Sequence, residues 1–160
     1  MPSQNEHHVT MAPTRGEVLV RQWMLLHYRV PPTPSAGRVY VWRKLKTLGA
    51  HLLHDSVWVL PKTSWTSEQF QWLAAEIVEL HGDAMLWQAH LTLPGQEEAL
   101  IHRFLAASEE EYQPIWQALQ KKVPNRSTLS RQFQQVRSRD YFSCPLGQQI
   151  YNALKNAREE

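Results

Sequence analysis

The stretch "WRKLKTLGAHLLHDSVWVLP", residues 42–61, decides the fold. Its period changes within a few residues. Up to Leu48 the apolar positions Val41 or Trp42, Leu45 and Leu48 fall three or four apart, which predicts one buried stripe on a helix. Gly49 then gives the stop signal, because glycine adopts the left-handed conformation that ends many helices. Beyond it, "AHLLH" (50–54) and "VWVLP" (57–61) are too short for helices and rich in β-formers. They predict a hairpin turning at Asp55-Ser56. A helix delivered straight into a hairpin has to share a core with it.

Working outward, "QWMLLHYRV" (22–30) is a mostly apolar run stopped by Pro31-Pro32, a buried strand. Ser35 is the expected N-cap of the helix that follows. A second helix is expected from about Ser67, with Phe70, Leu73, Ile77 and Leu80 as its stripe and Trp72 and Val78 flanking. His81-Gly82 closes it. "AMLWQAHLTL" (84–93) is the next strand, bounded by Pro94-Gly95. The order is β-α-β-β-α-β. It predicts an α+β, ferredoxin-like domain over residues 18–94, an antiparallel four-stranded sheet with both helices on one face.

Residues 95–160 read as a helical extension packed on that domain as one structural unit. Glu97 to Ala107 carries Leu100, Ile101, Phe104 and Leu105. A separate helix over 108–123 is expected from the S-x-x-E capping box of Ser108 and Glu111, with Pro114 kinking it or moving its start. Pro124-Asn125 breaks the pattern. Residues 126–142 bring Leu129, Phe133 and Val136, and the last segment brings Ile150 and Leu154. Residues 1–17 are polar and aperiodic and read as a disordered tail.

Hydrophobic residues make up 42% of the chain and charged ones 20%, which fits a globular domain. A formal net charge of +2 does not define a partner, so the distribution of charge matters more. No stretch approaches the roughly 18 apolar residues of a membrane span. The N-terminus has no apolar core of a secretory signal, so a cytoplasmic protein is expected. Cys144 is the single cysteine, which excludes an internal disulfide. It precedes Pro145 at a possible helix start, and an inert thiol is the expectation there.

Two basic groups stand out. Arg38, Arg43, Lys44 and Lys46 fall in the first helix without an intervening acid, and phosphate binding needs such cations on one accessible face. Arg126, Arg131, Arg137 and Arg139 form the second group, and guanidinium suits bidentate phosphate contacts. The competing reading of the first group is a solvated helix face, and of the second an Arg139-Asp140 ion pair. Glu97, Glu98 and Glu109 to Glu111 form an acidic segment between the groups.

His51 and His54 would project from opposite faces of a strand, which is poor metal spacing. The histidines predict no metal site. There is no H-E-x-x-H, G-x-S-x-G, Walker A or G-x-G-x-x-G motif, so neither an enzyme nor a cofactor is expected. Trp42, Trp58, Trp72, Trp87 and Trp116 are expected in core and interface packing rather than base stacking.

Residues 22–61, with Y-R-V-P after an apolar strand, V-W-R-K-L-K on a helix, then L-G-A and S-V-W-V-L-P, resemble the N-terminal domain of the ChrB family of chromate-resistance regulators. "WLAAEIVELHGDAML" (72–86), "FLAASEEEY" (104–112) and "RSRDYF" (137–142) extend the resemblance over most of the chain. It implies a transcriptional regulator of chromate-resistance operons; we expect it to bind promoter DNA with both basic groups on phosphates, and to do so as a homodimer, since paired half-sites need two copies. The alternative is a stand-alone module that responds to chromate or a similar oxyanion, or binds a protein, without DNA. Many family members carry a second, C-terminal domain, and with the sequence ending at Glu160 that part is expected to be absent.

The first half is more distantly similar to the central domain of phenylacetate-pathway repressors and to the small CRISPR adaptation subunit. In the latter family the first strand ends in an Asp linked to metal-dependent nuclease activity. The nearest position here is Arg29, and a cation cannot ligate Mg²⁺, which requires oxygen donors. That disfavours a nuclease.

Overall fold

The computed structural model describes residues 21–121 and 125–156. The expected N-terminal tail lies outside the described residues. In chain order the elements are β1 (Trp23–Arg29), α1 (Ser35–Leu48), β2 (His51–His54), β3 (Val57–Pro61), α2 (Ser64–Glu79), β4 (Asp83–Ala89), α3 (Gln96–Gln120), α4 (Arg126–Arg137) and α5 (Pro145–Asn156). The fold is mixed α+β, with one four-stranded sheet in the order β2-β3-β1-β4. Every neighbouring pair is antiparallel.

The register sorts the strand residues into two faces, because cross-strand partners project together. Leu26 sits opposite Trp58 on one side and Leu86 on the other. It is fully buried, in one core with Val41, Leu45 and Leu48 of α1 and Phe70, Leu73 and Ile77 of α2. Trp23, Leu25, His27 and Arg29 alternate onto the second face. One end of that face is covered by α3, whose Phe104 ring lies 5.8 Å from Trp23 and 4.0 Å from His51. At the other end His27, Arg29, His54, Met85 and Trp87 remain exposed.

Helix α1 ends as its sequence predicts. Gly49 has φ +73°, and its N–H reaches the carbonyls of Leu45 and Lys46. A Cβ there would also lie 2.7 Å from Cβ of Arg139, so the residue is fixed by backbone angle and close approach together. The start differs from expectation. Ser35 is already helical, Pro34 is the N-cap, and no side chain caps that end.

Helix α2 starts at Ser64 rather than about Ser67. Thr63 and Thr66 form a reciprocal capping box there, and the Thr66 hydroxyl also donates to the Pro61 carbonyl at 2.6 Å. Threonine can play both parts of that box, so the Ser67 signal is displaced by one turn. Ser67 Oγ lies inside the helix, buried and without a hydrogen-bond partner among the described residues. Strand β4 stops at Ala89 instead of Leu93.

The larger difference concerns residues 96–120, which form one helix and not two. Ser108 is buried at mid-helix, so its capping box is never used. Pro114 removes one helical N–H, yet α3 continues through it, with packing on both sides. Leu100 and Phe104 belong to the sheet core, while Tyr112 and Ile115 belong to a second core. At about 1.5 Å per residue, α3 is long enough, on the order of 37 Å, to serve both. The second core adds Leu129, Phe133 and Val136 from α4 and Cys144, Leu146 and Ile150 from the α5 region. Gly147 lets α5 close on α3, since a Cβ there would meet the Tyr112 ring at 2.7 Å.

Candidate nucleic-acid interface

The open end of the sheet borders a groove of about 870 Å³. Strand β1 contributes His27, Tyr28 and Arg29, and β4 contributes Asp83 and Met85. Helix α1 forms another wall with Ser35, Arg38, Val39 and Trp42, and the hairpin turn adds Asp55 and Ser56. Arg29 and Asp83 are cross-strand partners at the rim. The chain's alternation explains the polarity: Leu26 is turned into the core, so His27 and Arg29 on either side of Tyr28 must share the open surface. Burial raises the pKa of the Tyr28 phenol, partly offset by the Trp58 indole donating to it and by the nearby Arg38 guanidinium.

The first basic group divides on folding. Successive helical residues turn by about 100°, so the four cations spread around α1. Arg38 lines the groove with Trp42, and Lys46 follows one turn beyond Trp42, outside the lining. Arg43 crowns the outer surface, and Lys44 leans toward α2. Trp42 is 52% exposed, contrary to its expected place in the stripe, which Val41 fills instead. The Lys46 ammonium lies 5.9 Å from the Trp42 ring centroid and the Lys44 ammonium 5.8 Å from that of Tyr40. Trp72 and Trp87 are also more than half exposed, whereas Trp58 is buried as expected.

Among the described residues, none of Arg38, Arg43, Lys44 and Lys46 is ion-paired to a carboxylate. The positive surface continues past Lys46. Arg103, from α3, donates to the Leu52 carbonyl at 2.9 Å along the β2 edge. His51 lies between these cations. Burial, then Arg103 and Lys46, lower its pKa to about 4, with Glu111 opposing them.

The second basic group is built into the helical part. Arg139 pairs with Glu111, its Nε donating at 2.8 Å. This replaces the expected Arg139-Asp140 pair, since Asp140 instead accepts from the Tyr112 hydroxyl and the Cys144 N–H. Arg137 stacks over Tyr151 at 5.3 Å and Phe133 at 5.9 Å. Arg131 is exposed on α4, and Arg126 opens that helix. Cys144 is buried in the second core. The Tyr141 hydroxyl donates to the Leu48 carbonyl, tying this segment to the end of α1. Arg139 is thereby brought under Gly49, while Arg126, Arg131 and Arg137 belong to α4.

Among the described residues no cluster of three or more His, Cys, Asp or Glu is arranged to hold a metal. No described helix is long and apolar enough to cross a membrane. Sequence reasoning missed the groove contribution of His27 and the cationic contribution of Arg103. The alternation of β1 signals the first; nothing local signals the second, because α3 reaches the β2 edge only through the tertiary fold.

The class is therefore an α+β domain with an exposed basic helix beside an open groove. The family described as "Protein ChrB, N-terminal" matches residues 38–123, and the chain belongs to that family. It is 29% identical over 108 residues to Protein ChrB of Cupriavidus metallidurans. The match covers 68% of this chain but 32% of that relative, so the chain spans about a third of its length.

Proposed function

We propose that this protein is a regulator of the chromate-resistance type that binds promoter DNA, with Arg38 and Lys46 of α1, and Arg29 across the groove, on phosphates. The observation that carries the reading is the exposure of α1's cations beside a groove, without acidic partners among the described residues. Trp42 adds an aromatic surface between Arg38 and Lys46. Membership of the ChrB N-terminal family supports a regulatory role. In this reading the β2-β3-β1-β4 sheet is a ferredoxin-like scaffold, the protein works as a homodimer in the cytoplasm, and it has no catalytic activity. Arg126 and Arg131 add secondary phosphate contacts, while Arg137 and Arg139 chiefly hold the helical part together.

The test is fluorescence anisotropy with DNA from the gene's own upstream region. Affinity should fall steeply with salt as condensed counterions are released. No binding at low salt would refute it.

The groove also favours a second reading, an oxyanion-responsive module. Arg29, Arg38 and Ser35 line one concave surface together with Asp55 and Asp83, and the two guanidinium groups are what would suit a tetrahedral oxyanion. Chromate should then raise the melting temperature by linkage. An unchanged melting temperature at millimolar chromate contradicts it.

A further inference from the structure

The outer surface of the α1–α2 layer carries a pattern that the groove does not use. On α2, Trp65 and Trp72 are seven residues apart and share one solvent-facing stripe with Glu68, Glu76 and Glu79. Trp65 is 47% exposed and Trp72 58% exposed. On the adjacent α1, Arg43 and Lys44 face the same side. The Tyr40 hydroxyl donates to Glu76 at 3.0 Å, which joins the two helices and fixes one row beside the other. A monomer thus presents an acidic, Trp-bearing ridge next to a basic one.

We propose that this layer is a self-association surface, on which α1 of one copy packs antiparallel against α2 of a second. Nucleic acid fits poorly, because Glu68 and Glu79 repel phosphate where the tryptophans are exposed. The occupant must offer cations with apolar stems, and the neighbouring ridge of the same chain has them. In the sheet topology α1 and α2 run in opposite directions. A two-fold axis parallel to the helices within the interface therefore sets α1 against α2 of the second copy, and the match occurs twice. Arg43 and Lys44 would lay their methylenes on the Trp72 ring and their charges on Glu68 and Glu79. The surface rests on the homodimer of the proposed function and lies apart from the groove, so dimers that persist in the charge variants refute this surface alone, whereas a monomeric wild type refutes the homodimer as well.

Sedimentation velocity over a range of micromolar concentrations tests this on the full chain. The wild type should dimerise. Glu68→Lys/Glu79→Lys and Arg43→Glu/Lys44→Glu should each weaken self-association by about tenfold or more, because both produce like-charge contacts. An equimolar mixture of the two variants should dimerise again, since every contact between them is then opposite in sign. Trp72→Gln, which changes no charge, should weaken the dimer while far-UV circular dichroism stays unchanged. A wild type that remains monomeric, dimers that persist in either charge variant, or a mixture that stays monomeric would each overturn the proposal. DNA affinity measured separately reports on the groove.

Discussion

The two basic groups look alike in sequence and differ in their surroundings. In the C-terminal segment, Arg139 is held by Glu111 and Arg137 lies on Tyr151 and Phe133. Their charge is part of how α3, α4 and α5 stay together. On α1, Lys44 and Lys46 lie near rings of their own helix, Tyr40 and Trp42, and the side chains that α1 buries are Val41, Leu45 and Leu48, not its cations. A run of cations is therefore a weak guide to function until its partners are known.

Five variants test that contrast. Phe133→Ala should have the largest effect on stability. The ring is buried in the second core and also supports Arg137, so urea unfolding should show a loss of about 3–5 kcal/mol. A loss below about 1 kcal/mol would mean that the helical part does not rest on this core.

A second effect appears with pH. His51 has a folded pKa of about 4, below the ordinary 6.5, so its folded form favours the neutral ring. Its stabilising contribution is fully present above pH 6.5 and is lost as pH falls toward about 4. The urea midpoint should drop across that window, and His51→Gln should flatten this part of the profile. Lys46→Gln/Arg103→Gln should raise the His51 pKa in an NMR titration, which would show that the α1 and α3 cations act on one neighbourhood.

Arg139→Gln should cost about 0.5–1 kcal/mol, since its pair with Glu111 is partly exposed. Replacing Arg43 and Lys44 with Gln should have the smallest effect on the monomer, within about 0.5 kcal/mol of wild type at protein concentrations too low for self-association. A larger loss there would make α1's cations structural, and the contrast would fail.

Much of the sheet region was legible in the sequence because its signals are local. The apolar run of β1, the α1 stripe ending at Gly49 and the Asp55-Ser56 turn each depend on neighbouring residues. The errors have physical causes. Ser67 was outcompeted by Thr63 and Thr66, which form a reciprocal cap one turn earlier. Ser108 and Glu111 have capping spacing, but Leu100, Phe104, Tyr112 and Ile115 make α3 bridge two cores, and that tertiary demand overrides the local break at Pro114. Val41 and Trp42 both fitted the α1 stripe, and the smaller side chain took the buried place. At the candidate site, the basic helix was legible while its division was not. Which side Arg38 and Lys46 face depends on how α1 docks, and the engagement of Arg137 and Arg139 depends on residues far away in sequence.

The most direct test of the central claim, that the groove side of α1 and not the engaged C-terminal arginines meets DNA, is the salt dependence of DNA affinity in three proteins. These are the wild type, Arg29→Gln/Arg38→Gln/Lys46→Gln and Arg137→Gln/Arg139→Gln. Each lost phosphate contact should reduce the slope of log affinity against log salt by about 0.9, so the groove variant should lose about 2.7 and the C-terminal variant little. A groove variant that keeps the wild-type slope, or a C-terminal variant that loses it, would contradict the account.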